Sequence, residues 1–241
     1  MDVLVGSTGL IGTVLREHHD FDCRFNSENI HLAPLLKEDI DTLYLACLPA
    51  EKWKANQAPM ADFDNMYHVL SKMRLWKPKE IILYSTIDIY SQTYKYVQDF
   101  PELHAIDYGS VRYIFELLVK QTFPDAIVTI IRLPALFHRR IKKNALFDLL
   151  NRHNVEKINA NSCYQWYDLS DLWTDTEACE KGRNHQWFSS PIETLEIIDK
   201  WFPWARTEVD CSTRIEYNYG PYFASKETIM KKMEAFINAW N

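Results

Sequence analysis

Three glycines at three-residue spacing, Gly6, Gly9 and Gly12, follow the apolar run Val3-Leu4-Val5 and precede Thr13-Val14-Leu15-Arg16-Glu17-His18. This order reads as buried strand, tight turn and helix start, and its chemistry is that of an anion cradle. Gly6 and Gly9 let the backbone turn sharply and approach a pyrophosphate. The N–H groups of the helix start face that anion, and Gly12 lets the helix pack against the strand. Gly6, Ser7, Thr8, Gly9, Leu10, Ile11 and Gly12 are therefore the first candidate cofactor-binding residues. A second pair is Tyr108 and Arg112, one turn apart on a helix whose apolar positions are Val111, Ile114, Phe115, Leu118 and Val119. The permanent charge and several donors of Arg112 suit it to lower the pKa of Tyr108 and to hold a hydroxyl. A third feature is the run His138-Arg139-Arg140-Ile141-Lys142-Lys143-Asn144. Arginine there can bind two phosphate oxygens at once, and a solvated basic loop accounts for the run equally well.

The elements that must position these groups follow from pattern and length. Asp22–Asn26 reads as a second strand, and its end is where a dinucleotide fold meets the adenosine ribose. An acid there favours NAD. Asn26 and Ser27, with Arg24 nearby, can instead donate to a 2′-phosphate and favour NADP, although the same residues also suit a turn. About fifteen residues separate this strand from Thr42–Cys47, so a third strand is reduced to Asn29–Leu32 or is missing. The small residues Ala46 and Cys47, with Leu48, end that strand. Lys52, Trp53 and Asn56 fall in the following loop, ahead of a helix from about Met60 to Leu75, and such loops line the ligand crevice. A strand then runs Glu80–Tyr90 and contains Thr86 and Asp88. A polar, aromatic-rich connection, Ser91–His104, leads to the Tyr108 helix, and a long β-branched strand spans Ala126–Phe137. Helices are expected at Ala145–Leu150, after Pro191, and from Ser225 to about Trp240. The fold class is α/β: a Rossmann doubly wound parallel sheet with helices on both faces and a small C-terminal substrate lobe. One domain spans 1–241, with the lobe drawn mainly from about 138–175 and 200–241.

The composition of the 241-residue chain is ordinary, and its net charge of −6 argues against general nucleic-acid affinity. No apolar run approaches the roughly 18 residues of a membrane span, and the first strand leaves no room for a targeting peptide, so a cytoplasmic location is expected. The five cysteines show neither a zinc nor a disulfide spacing, and they are expected to be reduced and mostly buried.

The glycine spacing resembles that of short-chain dehydrogenases/reductases. Ser85-Thr86-Ile87-Asp88-Ile89-Tyr90 is similar to the S-S/T-x-x-V/I-Y element of their extended branch, also called NAD-dependent epimerases/dehydratases. Tyr108-Gly109-Ser110-Val111-Arg112 with Glu116 resembles Y-G-x-S/T-K-x-x-x-E, with arginine in place of lysine. Arg132-Leu133-Pro134 and Gln165–Leu172 resemble two later elements. The shortened third strand is similar to that of compact dTDP-4-dehydrorhamnose reductase-like proteins. The resemblance implies an NAD(P)-dependent oxidoreductase or epimerase acting on a nucleotide-linked sugar. In that reading Tyr108 is the acid/base, Thr86 orients the carbonyl and Arg112 holds the ribose. Ala46, Cys47, Leu48 and Pro134 lie along the cofactor, with Leu136 an apolar contact. Asp88 is the second of two acids found in dehydratases, the first being replaced by Ile87. Lys52, Trp53, Asp88, Arg139, Arg140, Lys143, Gln165 and Tyr167 contact substrate, Asn65 supports the site, and the chain is a homodimer without a metal. Two alternatives stay open: a dinucleotide-binding sensor or scaffold with little turnover, and a reductase of a small non-sugar carbonyl, for which residues 139–143 are dispensable.

Overall fold

The computed structural model describes residues 1–90, 106–209, 211 and 213–240. The connection read at Ser91–His104 lies outside the described residues. In chain order the first elements are β1 (Asp2–Val5), α1 (Leu10–His18), β2 (Cys23–Phe25), β3 (Thr42–Leu45), α2 (Lys52–Gln57), α3 (Pro59–Met73), β4 (Glu80–Thr86), α4 (Tyr108–Thr122) and β5 (Ile127–Leu133). There follow β6 (Ala135–Phe137), α5 (Ala145–Asn151), β7 (Cys163–Tyr164), β8 (Trp166–Asp168), α6 (Leu172–Ala178), β9 (Asn184–Gln186), β10 (Ile192–Glu193), α7 (Thr194–Trp201) and α8 (Lys226–Asn238). The chain divides into two compact units, Met1–Arg132 with Leu172–Gln186, and Leu133–Asp171 with Trp187–Asn241.

The first unit is a Rossmann-like parallel sheet of six strands in the order β2-β1-β3-β4-β5-β9. Its inner strands β1, β3 and β4 are mainly apolar on both sides, as a sheet covered on both faces requires. Val3, Val5, Leu43, Leu45, Ile81 and Leu83 turn to one face, where α3 and α4 bury Met66, Leu70, Met73, Val111, Phe115 and Val119 against them. Tyr44 and Tyr84 alternate to the other face. There the ring of His19, at the end of α1, stacks on Trp173 of α6 at 4.6 Å, and the Tyr84 hydroxyl meets that of Thr176 at 3.1 Å. Of the two outcomes expected for a third strand the second is found: it is missing, and Ile30–Leu35 forms a 3-10 turn containing Pro34 in its place. Proline has no N–H to give to a ladder, and the connection is too short for a strand and two crossovers.

Two strand ends are corrected. The strand read as Glu80–Tyr90 ends at Thr86, where a 3-10 turn over Ile87–Tyr90 begins. The Thr86 hydroxyl accepts the Asp88 amide at 3.1 Å, a side-chain turn that replaces the next ladder bond. The strand read as Ala126–Phe137 is broken at Pro134, so β5 belongs to the first unit up to Arg132 while β6 pairs with β8 in the second. The second unit contains two small sheets, β6 with β8 and β7 with β10. They pack with α5, α7 and α8 around Phe137, Leu146, Leu149, Trp166, Ile192, Ile197, Ile198, Ile229 and Met233. This unit starts at Leu133 rather than near 138 and resumes at Trp187 rather than 200, because α6 and β9 return to the first unit. The five cysteines are free and partly buried.

Candidate functional site

The glycine loop joins β1 to α1 as its spacing predicts. Gly6 has φ of +92°, and a Cβ there would stand 2.2 Å from the Ala46 carbonyl oxygen. A Cβ on Gly12 would stand 2.2 Å from the carbonyl oxygen of Gly6. Both positions therefore exclude any side chain. The Phe25 carbonyl accepts the Gly6 and Ser7 amides at 2.8 and 3.0 Å, and the Gly9 amide donates to the Gly6 carbonyl at 3.1 Å. The amides of Thr8, Leu10, Ile11 and Gly12 make no bond among the described residues. Gly9 caps α1 without a side-chain bond, and the first turn holds no acid. Open donors at the positive end of a helix dipole fit a pyrophosphate. Ala46 donates to the Val5 carbonyl at 2.8 Å and carries the chain past Gly6. Beside it, burial pushes the Cys47 thiol up to about 12, so it stays protonated.

At the end of β2 the side-chain oxygen of Asn26 accepts the amides of Glu28 and Asn29 at 2.8 and 3.2 Å. Asn29 returns the bond, its side-chain oxygen accepting the Asn26 amide at 2.7 Å. Asn26 thus builds a turn, Ser27 at its tip is exposed, and Arg24 is paired with Asp20 at 3.1 Å.

A second group of side chains gathers at the carboxyl end of β4. Thr86 Oγ1 lies 3.3 Å from one Asp88 oxygen, and Lys52 Nζ lies 2.5 Å from the other. Four residues along α2 from Lys52, Asn56 accepts the Tyr108 amide on its side-chain oxygen at 2.8 Å. One face of this short helix therefore holds both the Thr86 turn and the start of α4. Asp107 caps α4 in a reciprocal box with Ser110, at 2.8 and 2.6 Å. A Cβ on Gly109 would meet the Asp88 carbonyl oxygen at 2.2 Å, so glycine is what lets α4 seat against the turn that carries Thr86 and Asp88. Trp53 on α2 is exposed.

Tyr108 and Arg112 share a face of α4, as their spacing predicts. The guanidinium carbon lies 4.1 Å from the centre of the Tyr108 ring. Arg112 is fully buried, donates to the Pro49 carbonyl at 2.5 Å, and forms an ion pair with Asp62 of α3. Burial pushes the Tyr108 hydroxyl up to about 12 against the opposing pull of Arg112, with Asp88 and Asp62 adding to the rise. The expected lowering by Arg112 is therefore outweighed, because burial penalises the ionised hydroxyl more than the neighbouring guanidinium favours it. Asn65 is exposed, and the inward place on α3 belongs to Asp62. That acid shares the apolar stripe of Met66, Leu70 and Met73, and an acid on such a stripe signals a buried cation partner. Glu116 and Arg132 form a buried bidentate pair at 3.1 and 2.6 Å, which fixes α4 to β5.

The remaining candidates lie in the second unit. Pro134 is buried, Leu136 is half-buried, and Arg139, Arg140 and Lys143 are exposed. Gln165 is fully buried, and its amide is committed to backbone: Nε2 donates to the carbonyls of Ser189 and Tyr219 at 2.7 Å each, and Oε1 accepts the Tyr219 amide at 3.1 Å. Tyr167, also buried, stacks with Trp187 at 6.2 Å.

No protein-family model matches the chain, and no curated protein matches it significantly. Solved structures share its fold. A UDP-N-acetylglucosamine 4-epimerase from Methanobrevibacter ruminantium, in complex with UDP-N-acetylmuramic acid, superposes with a TM-score of 0.70 at 10% identity, over 99% of this chain and 97% of that one. A dTDP-4-dehydrorhamnose reductase from Yersinia enterocolitica gives 0.66 at 11% identity, over 100% and 99%. A UDP-glucose 4-epimerase from Thermus thermophilus, in complex with NAD, gives 0.61 at 12% identity, over 100% and 94%. At these identities the likeness establishes the fold.

Proposed function

We propose that the chain is an NAD(P)-dependent oxidoreductase or epimerase acting on a nucleotide-linked sugar. The observation that carries this reading is the seating of the Tyr108 helix on the Thr86 turn through Gly109, on a sheet whose β1 end opens into a cradle with unused amides. The fold's neighbours include proteins named as nucleotide-sugar epimerases and a reductase, which agrees with it. A bound nicotinamide dinucleotide would be held by Gly6–Gly12 and would supply or accept hydride. Thr86 then orients the carbonyl or hydroxyl oxygen of the substrate. Tyr108, neutral at pH 7, gives its proton to that oxygen in reduction and takes one from it in oxidation. Ser27, with Arg24 nearby, would take a 2′-phosphate.

Turnover of a panel of nucleotide sugars with NADH and NADPH tests this reading. Tyr108→Phe should lower kcat at least about 100-fold, the smallest effect expected of lost general acid–base help. Turnover close to that of the unaltered chain would remove Tyr108 from the mechanism. A second reading, a dinucleotide-binding sensor or scaffold, is favoured by one observation, the closure of Arg112 on Asp62. It predicts nucleotide binding without turnover across the panel.

A further inference from the structure

Among the described residues, the pairs Arg112–Asp62 and Lys52–Asp88 differ in their access to a ligand. Arg112 and Asp62 are 0% and 9% exposed, whereas Lys52 and Asp88 are 39% and 15% exposed. Only the second pair reaches the open end of the sheet. Asp88 also ties it to Thr86, whose hydroxyl lies 3.3 Å from one carboxylate oxygen and accepts the Asp88 amide at 3.1 Å.

The strand order locates this pair along a bound dinucleotide. The pyrophosphate cradle stands at the end of β1, and the ribose-reading turn at Asn26 stands at the end of β2 on one side. On the other side come β3 and then β4, whose end carries Thr86. Two strand spacings are about 10 Å, the distance from a pyrophosphate to a ring one ribose away. With one half of the dinucleotide over β2, the other half falls toward Thr86 and Asp88. An oxidised nicotinamide ring carries a positive charge and a reduced ring carries none.

We propose that Lys52 and Asp88 are a charge-balancing pair beside the nicotinamide ring, setting the relative affinity of the site for oxidised and reduced cofactor. The proposal rests on the dinucleotide-binding reading above. Together the two charges exert little net field on the ring, and each alone would favour one form. Lys52 is a positioning residue in this arrangement: it fixes the carboxylate that in turn fixes the Thr86 hydroxyl. The short α2 that carries Lys52 also holds Tyr108 through Asn56, so the charge balance and the tyrosine share one support.

The test is calorimetric titration with NAD⁺, NADH, NADP⁺ and NADPH, read as the ratio of oxidised to reduced affinity. Lys52→Met removes the positive charge and should raise the ratio roughly tenfold, while Asp88→Asn removes the negative charge and should lower it roughly tenfold, the size expected of one charge several ångströms away in a partly solvated site. A tenfold change corresponds to about 30 mV in the potential of the bound two-electron couple. The double variant should return the ratio to within about twofold of the unaltered chain, because the pair acts as a unit. A pair with only a structural role would weaken both forms alike and leave the ratio unmoved, which overturns the proposal. If Lys52→Met loses its far-ultraviolet helical signal, Asp88→Asn with Lys52→Arg carries the test: the ratio must fall in the first and hold in the second. Binding with an unmoved ratio overturns this proposal alone, whereas no binding of any of the four nucleotides overturns the dinucleotide reading and the proposal with it.

Discussion

The tyrosines of the first unit show how burial competes with charge at single residues. Tyr44 and Tyr108 are both pushed up to about 12 by burial, and Tyr84 is raised further in the same direction by the same cause. Unfolded tyrosine titrates near 10. A raised folded-state pKa means that the protonated form carries the stability, fully present below pH 10 and lost as the pH rises toward 12. Alkaline titration at 295 nm should therefore show these hydroxyls silent through pH 10–11 in the folded chain, with their ionisation coinciding with loss of structure. Tyrosinate absorbance for every tyrosine near pH 10 in a folded chain would contradict the burial account. The one-turn spacing of Tyr108 and Arg112 was legible in the sequence. The state of Arg112 was not, because its partner Asp62 is 50 residues away in the chain and only the fold brings them together. Asn26 carries the same lesson: its chemistry suits a phosphate or a turn, and only the bonds to Glu28 and Asn29 show how its oxygen is used.

At the scale of elements, α4 is placed by contacts at its first turn. Asp107 and Ser110 cap it, Asn56 takes the Tyr108 amide, and Gly109 lies flush against the Asp88 carbonyl. Gly109→Ala cannot keep this seat, since the added Cβ meets backbone rather than a movable side chain. On the mechanism proposed above, the variant should bind nucleotide within about threefold of the unaltered chain while losing at least about 100-fold in turnover, because a displaced Tyr108 would not reach the oxygen it is proposed to protonate. Equal losses in binding and turnover would point instead to general unfolding. The sequence predicted the strands and the main helices well where apolar periodicity was strong. It misplaced their ends where single polar or proline residues decide them: Thr86 stops β4 by bonding the Asp88 amide, and Pro134 splits one apolar run between two sheets. The loss of a third strand followed from chain length alone, and Pro34 explains what replaced it.

For the whole molecule, the two-unit division was foreseen only in outline. A C-terminal lobe was expected, but nothing in the pattern from 172 to 186 announced that α6 and β9 belong with the first unit, since a short polar edge strand such as Asn184-His185-Gln186 carries no periodic signal. Among the described residues no helix is long and apolar enough to cross a membrane. Met60 and Tyr67 on α3 and Leu117 on α4 are 54%, 53% and 48% exposed, and these two helices pack side by side. Apolar residues left outward on adjoining helices favour closed self-association, so sedimentation should give a homodimer, and Leu117→Glu should shift it to monomer. A chain that sediments as a monomer at all concentrations would leave that face without this explanation.

The interleaving of the two units also fixes an order of assembly during synthesis. When Arg132 has emerged from the ribosome, β5 is the outer strand of an unfinished sheet, and among the described residues the cover on the face bearing Tyr44 and Tyr84 is α1 and the His19 that follows it. Its cover, α6, and its last strand, β9, arrive only after Leu133–Asp171 has been made. A nascent chain must therefore carry an open sheet edge and a bare aromatic face through some forty further residues of translation. A chain stopped at Arg132 would keep both for good and, although it retains the glycine loop and Tyr108, would be prone to aggregate.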